Sequence, residues 1–157
     1  MQDSALRPAT LSDLDPLADL FDLYRQFYDQ APDRAAARLF IGERMARGES
    51  TILVGYDTQG QMAGFCQLYP SFCSVAAAPI LVLYDLFVAP AARRSGLARA
   101  LMRAAQDYAT AQGVARVDLT TAHTNTKAQA LYESLGWQLD TVFRAYNWTP
   151  PGPSRVA

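Results

Sequence analysis

The sequence predicts a single α/β domain, residues 1–149, built on a mixed, mostly antiparallel central sheet of about seven strands flanked by about four helices. Three observations predict it. Two apolar runs, Thr51 to Tyr56 and Gln61 to Tyr69, flank Asp57-Thr58-Gln59-Gly60, which is turn chemistry and makes them an antiparallel hairpin. A strand-like run, Ile80 to Val88, a helix-like run from Leu97 to Gln112 and a strand-like run from Val114 to Thr121 follow in the order of a crossover unit. The chain has 157 residues, half of them hydrophobic and 18% charged, which suffices for one soluble core.

The elements follow in order. Leu6-Arg7-Pro8-Ala9 is a short first strand. Ser12 is a candidate N-cap, and Leu14, Leu17, Phe21, Tyr24 and Tyr28 recur at helical spacing until Pro32 breaks the run. A second helix spans Asp33 to Arg47, with Gly48 just past its end. After the hairpin, residues 70–79 read as a loop bounded by Pro70 and Pro79. Ile80 to Val88 is apolar on both faces, as a central strand is. Gly113 stops the next helix. Thr126-Lys127-Ala128-Gln129 fits a capping box and opens a short helix that buries Ala128, Leu131 and Leu135 and ends at Gly136. Trp137 to Leu139 and Thr141 to Trp148 read as closing strands that pack both tryptophans, and 150–157 as a mobile tail.

The net charge of −1 gives no general attraction to nucleic acid or membrane. No run is long enough for a membrane span, and no signal-peptide pattern opens the chain. Cys66 and Cys73 fit reduced packing residues of a cytoplasmic protein. Their spacing and the single histidine, His123, match no metal site.

Chemistry concentrates in Arg93-Arg94-Ser95-Gly96-Leu97-Ala98, a basic, glycine-containing turn that opens a helix. Unpaired N–H groups and the helix dipole there favour an anion, a phosphate or pyrophosphate. Asp85 stands out as a carboxylate in an apolar strand, expensive unless paired.

Arg93-x-x-Gly96-x-Ala98 before that helix, with Asn125 seven residues ahead of Tyr132 on the later short helix, resembles the GNAT superfamily of N-acetyltransferases. The resemblance covers about residues 5–148. Tyr24-x-x-Phe27-Tyr28, Gly64 to Pro70 and Tyr84-Asp85-Leu86-Phe87-Val88 are most similar to the histone/polyamine branch, related to the diamine acetyltransferases. The resemblance implies acetyl-coenzyme A as co-substrate and no metal. It implies that Leu86, Phe87 and Val88 offer main chain to the pantetheine and thioester. Arg93, Arg94, Ser95, Gly96, Leu97 and Ala98 would cradle the pyrophosphate. Arg99 would reach toward a phosphate, and Asn125 with Ala128 would contact the arm.

Amine attack on a thioester requires a neutral amine, and a primary amine of pKa about 10.4 costs about 4 kcal/mol to deprotonate at pH 7. By resemblance Tyr132 is the general acid that reprotonates the thiolate. Asp85 either relays a proton or binds the acceptor's ammonium, and Tyr84 stands where the diamine branch has a Glu. Tyr28, Tyr84 and Asp85 are the acceptor-binding candidates, while Asp29 and Asp33 could attract a cation to the cleft mouth. The expected enzyme acetylates a small cationic amine such as a polyamine, or a lysine-containing peptide, by direct attack in a ternary complex, as a homodimer. An amino acid, an antibiotic or a protein N-terminus as acceptor, or a non-catalytic acetyl-coenzyme A-binding module, are the alternatives.

Overall fold

The structure, a computed structural model, describes residues 6–152. In chain order it contains β1 (Leu6–Pro8), a 3-10 turn (Leu11–Asp13), α1 (Leu14–Phe27), α2 (Arg34–Ala46), β2 (Thr51–Tyr56) and β3 (Met62–Cys73). There follow β4 (Ala78–Val88), a second 3-10 turn (Pro90–Ala92), α3 (Leu97–Gln112), β5 (Val117–Asp118) and α4 (Thr126–Ser134). One sheet runs β1-β2-β3-β4-β5. Neighbours are antiparallel up to β4, while β4 and β5, joined through α3, are parallel. The mixed α/β architecture is as expected. The chain divides into two compact units, the first ending at Thr120 and the second starting at Thr121.

Several expectations need correction. The sheet has five strands among the described residues, not about seven. Residues 137–148 form no strand: the Asp140 carboxylate accepts from the N–H groups of Val142 and Phe143 at 2.8 and 3.0 Å, a local turn that replaces a ladder. Trp148 is exposed, not packed. β5 shrinks from the expected 114–121 to two residues, because only Val117 and Asp118 pair with β4. Residues 70–79 are not a loop but the far end of the β3–β4 hairpin, from Pro70 opposite Leu81 to Cys73 opposite Ala78. Both prolines are tolerated there. The nitrogen of Pro70 faces the β2 side beyond that strand's last pair, and the nitrogen of Pro79 faces the β5 side, where its carbonyl accepts from Ala115. Ser12 does not cap α1; Asp13 occupies that position, its carboxylate clamped by Arg7 and the Thr10 N–H. Residues 153–157 of the expected tail lie outside the described residues.

The two faces of the sheet carry different helices. Phe65 meets Phe21 and Tyr24 of α1 on one face. On the other, Gly55 and Gly64 lie under α3. A Cβ at Gly55 would meet Leu97 at 2.6 Å, and one at Gly64 would meet the Phe87 carbonyl oxygen at 3.0 Å and Leu101 at 3.2 Å. Glycine is needed at both positions for clearance, and this close seat fixes the start of α3 over the sheet. Leu17, Phe21, Ile41, Val54 and Phe65 fill the α1/α2 side, and Leu97, Leu101, Met102 and Ala105 are the buried stripe of α3.

Candidate active site

The site begins with an irregularity in β4. Gln67 pairs with Asp85 but Leu68 pairs with Leu83, so Tyr84 is an extra residue, a β-bulge. Below it the Leu81 N–H bonds the Arg116 carbonyl on the β5 side. Above it the Ala89 N–H bonds Ala63 on the β3 side. The alternation therefore shifts at the bulge and turns the main-chain groups of Leu86 and Val88 toward the β5 side. β5 pairs only with Leu81 and Val82, so that edge has no strand beside it above Val82 among the described residues. The Val88 carbonyl accepts instead from Arg93 Nε at 3.3 Å. The bulge also sets side chains: Tyr84 is exposed and Asp85 is buried.

Past β4 the chain turns into α3. Arg94 and Gly96 both have positive φ, 63° and 89°. Alternating left-handed residues of this kind gather successive N–H groups into a concavity suited to an anion. Gly96 is the N-cap of α3 and makes no side-chain cap. A Cβ there would meet no protein atom, so glycine is required by its dihedral and the space above it is open. Ser95 Oγ donates to the Ala92 carbonyl at 2.7 Å and holds the turn. Leu97 is buried and anchors it, while Arg93, Arg94, Ser95 and Arg99 are exposed and Ala98 is half-buried.

On the α1/α2 face, Gln67 Nε2 donates to Asp85 Oδ2 at 2.6 Å, and Ser50 Oγ donates to Gln67 Oε1 at 2.7 Å. The Tyr24 ring packs against Phe65 and Phe87, the neighbours of Gln67 and Asp85 on this face, which brings its phenol near the same carboxylate. Burial raises the Asp85 carboxyl above its ordinary value, and the bonds from Gln67 and Tyr24 partly offset this. Burial likewise pushes Tyr69 up to about 12, with the Asp85 charge as a smaller cause. Next to this network lies an open groove lined by Phe40, Arg44, Glu49, Tyr69, Val82 and Tyr84, among others. Arg44 is committed to Glu49 and lies over the Phe40 ring. Tyr28, half-exposed, packs edge-on against Tyr24 with ring centroids 5.2 Å apart.

Asp33 does not stand free at a cleft mouth: its carboxylate caps α2 by accepting from the Ala36 N–H at 2.9 Å. Cys66 is buried, its thiol pushed up to about 12 by burial. Cys73 is not a packing residue. It is partly exposed at the hairpin end, and a backbone N–H and Arg116 lower its thiol pKa.

The second unit holds α4. Asn125, not Thr126, is its N-cap, accepting from the Ala128 N–H at 3.3 Å. The expected capping box does not form, because Gln129 Nε2 donates to the carbonyls of Ala122 and His123. Ala128, Leu131, Tyr132 and Leu135 are half-buried rather than buried. Tyr132 packs against Trp137 with ring centroids 6.3 Å apart, and its carbonyl accepts from the Trp137 N–H.

Sequence reasoning missed Ser50 and Gln67 and took Tyr24 for core. Gln67 carried a signal, a lone amide inside the apolar run from Ala63 to Leu68. Tyr24 carried none, because its spacing on α1 is that of any core aromatic. Among the described residues, no cluster of three or more metal-ligating side chains occurs, and no helix is long and apolar enough to cross a membrane.

Comparison with known proteins adds sequence and fold relatives. The acetyltransferase (GNAT) family matches residues 17–137. YhfO of Bacillus subtilis (strain 168), described as an uncharacterized N-acetyltransferase, is 44% identical over 141 residues, which cover 90% of this chain and 94% of the relative. The [ribosomal protein bS18]-alanine N-acetyltransferase of Escherichia coli (strain K12) is 40% identical over 70 residues, 45% of this chain and 47% of that enzyme. A crystal structure of a probable acetyltransferase matches with a TM-score of 0.88 at 35% identity, covering 95% of this chain and 99% of its own.

Proposed function

The chain belongs to the acetyltransferase (GNAT) family, and from that premise we propose that it moves the acetyl group of acetyl-coenzyme A directly to a primary amine bound on the α1/α2 face of β4. GNAT acetyltransferases use acetyl-coenzyme A, which supplies the acyl group as a reactive thioester. The observation that carries the reading is the upper half of β4, whose Leu86 and Val88 main-chain groups face an edge with no neighbouring strand among the described residues. A polar arm with amides fits such an edge. The uncapped start of α3 with open space over Gly96 fits the pyrophosphate.

The residues divide the work as follows. Arg94 to Ala98 bind phosphate through main chain, while Arg93 braces Val88 and Arg99 adds positive charge. The N–H of Val88 polarises the thioester carbonyl, while that of Phe87 faces the β3 ladder. Asn125, its Oδ1 accepting from the Ala128 N–H, has its amide nitrogen to offer the arm, with Ala128 as a second contact. Tyr132 protonates the departing thiolate, since a phenol keeps its proton at neutral pH. Asp85 draws the proton of the incoming ammonium, and Tyr28 and Tyr84 line its approach.

The proposed acceptor is a small cationic amine or a lysine-like side chain, as in the histone/polyamine branch, and the enzyme works as a homodimer in the cytoplasm. A second reading, a protein N-terminal amine, is favoured by the Escherichia coli relative that acts on an alanine of ribosomal protein bS18. Thiol release on a panel of polyamines, lysine peptides, alanine-terminated peptides and amino acids separates the two. Turnover only on alanine-terminated peptides replaces the preferred acceptor. Tyr132→Phe is expected to lower kcat about 100-fold, and unchanged turnover removes the acid role.

A further inference from the structure

We infer that Tyr24 is a catalytic residue, its phenol carrying a proton from the acceptor amine to the Asp85 carboxylate. The inference rests on the acetyl-transfer reading and deepens it by supplying the route to the base.

Asp85 is nearly inaccessible, 4% exposed, so an amine in solution cannot reach it directly. Its surroundings define one path out. Ser50 fills the carbonyl oxygen of Gln67 and thereby fixes the amide so that its NH2 group faces Asp85. Gln67, itself fully buried, can then only donate, and leads nowhere. The remaining partner is Tyr24, whose side chain is only partly buried. A phenol both donates and accepts. While its proton points at Asp85, its lone pairs are left for an N–H on the open side.

The ring is held for this task. It lies 5.8 Å from Phe21, 5.9 Å from Phe65, 6.1 Å from Phe87 and 5.2 Å from Tyr28, centroid to centroid. Contact with Phe87 sets the phenol beside the upper half of β4, where the thioester carbonyl is proposed to lie. A purely structural tie would be a poor use of these groups. Burying a carboxylate costs stability unless it is fully paired, and α1 already docks through Leu17 and Phe21.

The protons balance. The acceptor ammonium gives one proton to the Tyr24 oxygen as the Tyr24 proton passes to Asp85. The freed nitrogen lone pair forms the bond to the acetyl carbon, and the carbon–sulfur bond breaks. The nitrogen then gives up a second proton and the departing thiolate takes one up, so the thiol and the amide both leave neutral. Asp85 then releases its proton to solvent. The titratable groups near the Asp85 carboxylate are Tyr24 from α1 and Tyr69 from β3, with Tyr28 and Tyr84 beside Tyr24; Cys66 lies on the α3 face, its thiol toward the Leu101 carbonyl.

Tyr24→Phe tests the relay, because it keeps the ring and removes the oxygen. Expected is a fall in kcat of about 100-fold with an alkylamine acceptor, with the KM for acetyl-coenzyme A unchanged. Asp85→Asn should match it, and the double variant should be no worse than either. With a weakly basic amine, already neutral at the assay pH, the loss should shrink below about tenfold, since no proton need be removed before attack. In the ligand-free protein, carbon-13 NMR of the Asp85 carboxyl should show its titration moved upward in Tyr24→Phe, because the charged form has lost a donor. Should the variant fail to fold, solvent-isotope measurements on the wild type decide: a bowed proton inventory supports two protons in flight, and a linear one overturns the relay. Wild-type kcat in Tyr24→Phe, an equal loss with both amines, or an unmoved Asp85 titration also overturns it. A wild-type chain that acetylates no amine sinks the functional reading and the relay together. Turnover by the wild type that Tyr24→Phe matches sinks the relay alone.

Discussion

The two halves of β4 follow different rules. Below the bulge, residues from Ala78 to Leu83 pair with β3, and Leu81 and Val82 also pair with β5. Ile80, Leu81 and Leu83 are buried, and no charged side chain interrupts them. Above the bulge the strand pairs on one side only among the described residues, buries a carboxylate at Asp85 and shows main-chain groups to the open edge. One extra residue, Tyr84, separates a stretch that holds the fold from a stretch that exposes backbone to a ligand. A bulge can do this because it absorbs one residue: Leu83 and Asp85 keep adjacent partners on β3, Leu68 and Gln67, while the strand bends between them.

The strongest way to break this comparison is to delete Tyr84. Leu83 and Asp85 then follow each other opposite Leu68 and Gln67, so the ladder becomes regular, both side chains keep their faces, and the bend at the bulge is lost. Turnover is expected to fall about 100-fold as the bend that places the upper half of the strand is lost, and a deletion variant that retained activity would refute the division of the strand. Leu83→Ala probes the other half. It should cost about 3 kcal/mol in urea unfolding while leaving the KM for acetyl-coenzyme A within about twofold.

A smaller effect separates the halves by pH. The folded protein holds the Asp85 proton more tightly than the unfolded chain does, because burial raises its pKa. Stability from this group is therefore lost as pH rises from the ordinary carboxylate value of about 3.9 through the raised folded value. The wild-type minus Asp85→Asn difference in unfolding free energy should show that decline. Asp13 acts in the opposite sense: Arg7 holds its carboxyl below the usual range, so its contribution is lost as pH falls, and it cancels in the difference. A flat difference curve would mean that Asp85 is not strained.

The least costly probe uses the cysteines, which oppose the two ends of β4. Cys73 pairs with Ala78 and Cys66 with Leu86. Native alkylation near pH 8 should modify Cys73, whose thiol is lowered, and spare Cys66, whose thiol is pushed up to about 12. Labelling of Cys66 without unfolding would report opening of the ladder above the bulge.

Much of this was legible in the sequence, for reasons that explain what was not. The glycine turn before α3 could be read because its φ demands and its place between two periodic runs are local. α2 with Gly48 beyond it, and the Asp57-Thr58-Gln59-Gly60 turn, were local as well. The bulge was invisible, since Tyr84-Asp85 alternates with its neighbours as a regular strand would, and only the pairing partner on β3 reveals the extra residue. Pro70 and Pro79 suggested a loop because the side of the ladder on which each nitrogen falls is not a property of the sequence. The role of Asn125 as cap, where Thr126 had the better motif, depended on where the chain enters α4. Residues 137–148 carry strand composition, yet Asp140 diverts two of their N–H groups into a turn.

The clearance at Gly55 and Gly64 bears on the length of what can bind. Neither residue is expected to touch a ligand, but together they set how low the mouth of α3 rides above the strands. A methyl group at either would lift that mouth by a fraction of an ångström and lengthen the span between the phosphate end and the acyl end. The ruler that matches this protein to its donor is thus calibrated by two hydrogen atoms in the interior, and mutational scans that look only for ligand contacts would pass over it.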